Sequence, residues 1–274
     1  MGGNERENIM TTIDKKIILE GIGLHSGAKC ETVLSPYNES GLFFKFGDKI
    51  VKATAEKVCD TSRCTMLDLE GHIVQTCEHL LSSIYALGID SILIEMSADE
   101  VPTFDGSGKV WYDSLKDCVV GTPNEAFSLK ETIRVEDKDA FIEAKPREGF
   151  VINYSLDYPH PMIGKSNFVF TKDKFEEFVA PSRTFALYEE VEFLRANGLA
   201  KGGSEENCIV VFKDKLSTPL RHSKEFATHK ILDLMGDISL CGMPLNNIEI
   251  SANKSGHKLN NVFAKKLRTV IDNA

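Results

Sequence analysis

The chain has 274 residues, 42% hydrophobic and 27% charged, and its 41 acidic against 32 basic side chains leave a formal net charge of −9. That size allows two domains of about 130 residues each or one large α/β domain, and the acidic balance argues against nucleic acid as a partner. Seven scattered cysteines without a CxxC pair point away from a disulfide framework or a thiolate zinc cluster, and no segment approaches the roughly 20 apolar residues of a membrane span.

The start, MGGNERENIM, has no apolar signal core, and Arg6 stands where a myristoylation site wants Ser or Thr. Residues 1–12 read as an unstructured leader or tag remnant, and the whole pattern reads as a cytoplasmic protein. From Lys16 to about Val58, KIILEGIGLHSG, KCETVLSP and GLFFKF are short β-prone runs punctuated by Gly, Pro, Asn and Ser. The spacing of Leu80, Leu81, Ile84, Tyr85 and Leu87 predicts a helix over 76–87, with Thr76 as N-cap and Gly88 as stop. SILIEM (91–96) is a buried strand, and DGSG (105–108) turns the chain into a helix around 111–119.

After GTPNEA (121–126), the expected linker, the pattern repeats: strands at 127–133, 140–144, 150–156 and 167–170, then helices. A helix striped by Ile231, Leu234, Met235 and Ile238 precedes the strand NIEIS, the turn KSGH, and a last helix striped by Leu259, Val262, Phe263, Leu267 and Val270. The expected fold is α+β, two similar layered domains (1–126 and 127–274) arising by internal duplication. The second carries an insert at about 187–212, where LYEEVEFLRANG predicts a helix without counterpart in the first half.

Several polar residues stand out by type and spacing. His229 and Asp233 are four apart, so one helix face carries both and could share a metal; a solvated face has the same spacing. Asp237 extends that stripe and could accept a proton from an imidazole. Glu78 and His79 are adjacent near a helix start, where Glu78 would suit the dipole in any case. His257 follows a glycine turn, and Thr184 in PSRTF is a turn or cap residue or an oxyanion donor. Two imidazoles and one carboxylate can hold Zn²⁺ with a fourth position open for water, leaving one carboxylate and one imidazole to move protons.

The fragments GIGLHSG, RCT, TCEHLLSSIYALGID, PTFDGSG, PSRTF, GLAKGGS, CIVV, THKILDLMGD and KSGHKLNN resemble, in order and over nearly the whole chain, the motifs of the UDP-3-O-acyl-N-acetylglucosamine deacetylase family, zinc enzymes of bacterial lipid A biosynthesis. The resemblance implies zinc ligands at His79, His229 and Asp233, a general base at Glu78, a cationic acid at His257 backed by Asp237, and an oxyanion donor at Thr184. It also implies an active site at the domain interface and a strand-helix-strand insert forming an apolar passage for the acyl chain. Phe185, Lys230 and Tyr158 match substrate-contacting positions. The implied reaction is hydrolysis of the N-acetyl group of the UDP-acyl-amino sugar, releasing acetate; oligomerisation is not implied. A catalytically dead nucleotide-sugar or lipid-binding module, and a zinc amidohydrolase acting on another acylated amino sugar, are the competing expectations. Cys77 where Val is usual, GSEEN in place of GSLDN, and Ala227 and Thr228 before His229 depart from the family pattern without removing a catalytic group.

Overall fold

The structure is a computed structural model and describes residues 10–122 and 126–274. Two five-stranded sheets dominate it. The first contains β1 (Ile17–Ile22), β2 (Lys29–Pro36), β3 (Gly41–Phe46), β4 (Lys49–Lys52) and β5 (Ser91–Met96) in the order β1-β2-β5-β3-β4. The second contains β6 (Ile133–Asp137), β7 (Ala140–Pro146), β8 (Phe150–Asp157), β9 (Lys165–Phe170) and β10 (Ile248–Asn253) in the order β6-β7-β10-β8-β9. In each, the late strand enters between the second and third and pairs parallel with the third, while the other pairs are antiparallel. This shared topology bears out the expected α+β duplication.

Each sheet buries one face through period-2 alternation. In β2 the inward residues are Cys30, Thr32 and Leu34; in β10 they are Ile248, Ile250 and Ala252. Helices α1 (Glu78–Ala86) and α2 (Lys109–Leu115) belong to the first half. Helix α3 (Tyr188–Ala196) lies in the insert, and α4 (Glu225–Ser239) and α5 (His257–Asp272) cover the second sheet. Leu80, Leu81, Ile84, Trp111 and Leu115 fill the first core, and Ile231, Leu234, Ile238, Phe263 and Leu267 fill the second. Leu240 and Ala264 of the second half pack into the first core, so the halves share a seam.

That seam is where α1 meets α4. A Cβ on Gly236 would stand 2.1 Å from the carbonyl oxygen of Glu78, so only glycine lets the two helix backbones approach this closely. The contact brings the first turn of α1 against the last turn of α4.

Some boundaries differ from the sequence reading. Thr76 is not the N-cap: it has φ 58°, its hydroxyl donates to Glu100 Oε1 at 3.0 Å, and Cys77 occupies the cap position. The helix expected around 111–119 ends at Leu115, and Val119–Val120 pairs with Thr12–Ile13. Thr11 and Ile13 are buried and Thr12 is in a strand, so the expectation of an unstructured stretch fails at Thr11 and Thr12; residues 1–9 lie outside the described residues. Residues 127–133 form no single strand, since Phe127–Ser128 pairs with Leu245–Asn246 and β6 starts at Ile133. The expected linker 121–126 contains residues 123–125, also outside the description. The insert has a positional counterpart after all: between β4 and α1 the first half carries a three-stranded antiparallel sheet, Val58–Asp60, Met66–Leu69 and His72–Gln75. Its alternation was too short to read from sequence.

Candidate active site

The insert folds as a strand (Phe185–Leu187), α3, and a second strand (Ile209–Val211) paired parallel to the first. It is braced against the first half. Gly106, at φ 79°, leaves no room for a Cβ beside the Asn207 carbonyl, and its own carbonyl accepts from Thr184 N at 2.8 Å. Lys201 N and Gly202 N donate to His25 and Leu24, and Arg63 Nη1 lies 3.4 Å from Glu190 Oε1. The insert, the seam and the first-half loops together enclose a cavity of about 590 Å³, within the range of small-molecule sites.

At the inner wall, α1 presents His79 and α4 presents His229 and Asp233. The Nε2 atoms of the two imidazoles are 3.3 Å apart, and Asp233 Oδ1 is 3.5 Å from each. These three donors could hold one metal ion. Donors at about 2.0–2.2 Å from a tetrahedral ion stand about 3.3–3.6 Å from one another, so the spacing fits without rearrangement. His229 is buried and its pKa is driven well below the ordinary value, chiefly by desolvation, so it is the neutral ligand form. Burial alone would raise the Asp233 pKa, but the positive charges of Lys230 and His257 and a hydrogen bond from His79 outweigh it and hold the carboxylate ionised. Lys230 Nζ bonds Asp233 Oδ2 at 2.9 Å, which leaves Oδ1 facing the imidazoles. His229 Nδ1 has no partner among the described residues. The cavity also touches Cys64, but burial pushes that thiol up to about 12, so it stays protonated.

Glu78 and His257 lie beside this triad. Glu78 is buried, and desolvation raises its pKa against the pull of His257 and His79. Thr65 N donates to Glu78 Oε2 at 3.2 Å, while Oε1 lies 3.8 Å from His257 Nε2. His257 is the first residue of α5, and its Nδ1 is 2.9 Å from Asp237 Oδ2. Burial would lower the His257 pKa, but Asp237, Asp233 and Glu78 together raise it to about 10. Asp237 also accepts from Asn260 Nδ2 at 2.8 Å and from the Thr65 hydroxyl. At 3%, 2% and 1% exposure, His229, Asp233 and Asp237 are not a solvated helix face.

All ten residues singled out from the sequence except Asp237 line this cavity, and Asp237 lies directly behind His257. Phe185 packs edge-on to His229 at 5.6 Å and to Tyr158 at 5.7 Å, and Lys230 Nζ lies 5.4 Å from the Phe185 ring centre. Thr184 is on the wall, its amide fixed by Gly106. Thr65 and Asn260 were not identified from the sequence as site residues. Thr65 sat inside the RCT fragment with no local signal, because its partner Asp237 is 172 residues away.

A duplicated α+β scaffold that converges two imidazoles and a carboxylate on one point, with a carboxylate and an imidazole beside them, has the build of a metal-dependent hydrolase. Residues 10–269 match the sequence profile of the family described as UDP-3-O-acyl N-acetylglycosamine deacetylase, and the chain belongs to that family. A UDP-3-O-acyl-N-acetylglucosamine deacetylase of Helicobacter pylori (strain J99) is 38% identical over 267 residues, covering 94% of this chain and 90% of that protein. Proteins of the same name from Sulfurimonas denitrificans (36% identical, covering 96% and 92%) and Shewanella baltica strain OS155 (36% identical, covering 93% and 88%) are similarly related.

Proposed function

We propose that this chain hydrolyses the N-acetyl group of a UDP-3-O-acyl-N-acetylglucosamine, releasing acetate and a free sugar amine in lipid A biosynthesis. The observation that carries this reading is the triangle of His79, His229 and Asp233 donors with edges of 3.3–3.5 Å beside Glu78 and His257, in a chain of the deacetylase family. We assign the ion as Zn²⁺, which when bound supplies Lewis acidity and lowers the pKa of water.

Glu78 takes a proton from the attacking water. Oε1 is the atom for this, because Oε2 is engaged by the Thr65 amide; the raised pKa brings the base nearer to neutral pH. As the acetamide carbon becomes tetrahedral, negative charge collects on its oxygen, and the Thr184 hydroxyl and the cationic His257 stabilise it. The C–N bond then breaks, and His257 or Glu78 delivers a proton to the departing amine. Phe185, Tyr158 and Lys230 are assigned to the substrate. The acyl chain is assigned to the insert, where Val191, Leu194, Val210 and Phe212 line the cavity together with charged Glu190, Arg195 and Glu205. The scattered cysteines without a CxxC pair support a cytoplasmic location, and we divide the chain into domains at 1–126 and 127–274.

The test is Glu78→Ala. It should lower kcat by about 10²–10⁴-fold while bound metal, measured on purified protein, stays near wild type; loss of metal would mean that Glu78 is a ligand and not the base. For the wild type, kcat/KM should rise with pH as Glu78 deprotonates and fall as His257 does. A dead binding module would release no acetate, and a different amidohydrolase would treat substrates with and without the 3-O-acyl chain alike.

A further inference from the structure

We infer that Thr65 is a positioning residue that sets both halves of the acid-base pair from one point, an inference that rests on the hydrolase reading above. Thr65 is buried, between a cavity-lining turn (61–64) and the strand Met66–Leu69. Its backbone is held on both sides: its carbonyl accepts from Thr76 N at 3.1 Å and from Cys77 Sγ at 3.6 Å, immediately before α1. Its amide donates to Glu78 Oε2 at 3.2 Å. Its hydroxyl donates to Asp237 Oδ1 and lies 3.3 Å from His257 Nδ1.

The consequences follow from what each partner has left to bond. Asp237 has both carboxylate oxygens engaged, Oδ1 by Thr65 and Oδ2 by His257 and Asn260. Without the hydroxyl, Oδ1 becomes a buried acceptor with no donor, and the carboxylate is free to turn away from His257. His257 would then lose the bond that fixes its Nδ1–H and aims Nε2 toward Glu78 Oε1. The amide acts independently of the side chain and selects which Glu78 oxygen is free. One residue of the first half thus orients a base on α1 and, through Asp237 on α4, an acid on α5.

Thr65→Val keeps the shape and the amide and removes only the hydroxyl; Thr65→Ser restores it. A lost hydrogen bond to a buried charged group predicts a fall in kcat of about 10- to 100-fold for Thr65→Val, with KM within about twofold and bound metal unchanged. Thr65→Ser should recover most of the loss. In metal-free protein, the ring N–H proton resonance of His257 should move or broaden in Thr65→Val and return in Thr65→Ser. Wild-type kcat in Thr65→Val, or an unchanged His257 resonance, overturns the inference. The resonance decides it even if wild-type protein releases no acetate, an outcome that would count against the hydrolase reading alone.

Discussion

Helix α1 of the first half gives the site two adjacent residues at its tip, Glu78 and His79, whereas helix α4 of the second gives it three residues spaced by four, His229, Asp233 and Asp237. The sheets behind these helices share one strand order, so the scaffold is common and the contributions are not. α1 offers its N-terminal turn, where the side chain of Cys77 caps no amide of the helix and Glu78 sits at the positive end of the helix. α4 offers a buried polar face inside an otherwise apolar helix. The inserts diverge in the same way, a small antiparallel sheet in one half, which reaches the cavity through its turn 61–64, and a strand-helix-strand unit in the other, which lines it directly. Duplication gave two frames with equivalent backbones; the site arose by loading them unequally and pressing them together at Gly236.

This comparison can be broken most forcefully at the donors. His79→Ala and His229→Ala, one from each half, should both abolish stable metal binding and acetate release, measured by metal content and product formation. If either variant keeps full metal occupancy, the halves do not share an ion. Gly236→Ala strikes the seam. A methyl placed 2.1 Å from the Glu78 carbonyl oxygen forces α1 and α4 apart, with an expected loss of about 1–3 kcal/mol in denaturant unfolding and reduced metal affinity. A fully stable, fully active Gly236→Ala would show that the helices need no close approach. The smallest effect is expected where the inserts meet: Arg63 and Glu190 are about 40% exposed, so Arg63→Met or Glu190→Gln should change kcat/KM by about fivefold at most.

Much of this is legible in the sequence. The apolar stripe of α4 and the strand pattern of both halves located the main elements, and the donor types at 78, 79, 229, 233 and 257 located the chemistry. Convergence was not legible from spacing, since His79 and His229 are 150 residues apart and the same His229–Asp233 interval suits a solvated face. The resemblance to a deacetylase family supplied that step. Thr65 and Asn260 stayed hidden although both lie inside the fragments RCT and KSGHKLNN, because neither residue type announces chemistry by itself and both matter through Asp237. Thr76 misled for a physical reason: its hydroxyl looks like a cap, but buried Glu100 claims it.

One ion held by donors from both halves would join the two frames into a single site. X-ray absorption at the zinc edge of metal-loaded protein tests this shared ion most directly. The expected shell is nitrogen and oxygen only, at about 2.0–2.2 Å, with an outer-shell signature of two imidazoles that falls to one in His79→Ala. A sulfur shell near 2.3 Å, or no imidazole signature at all, would contradict it.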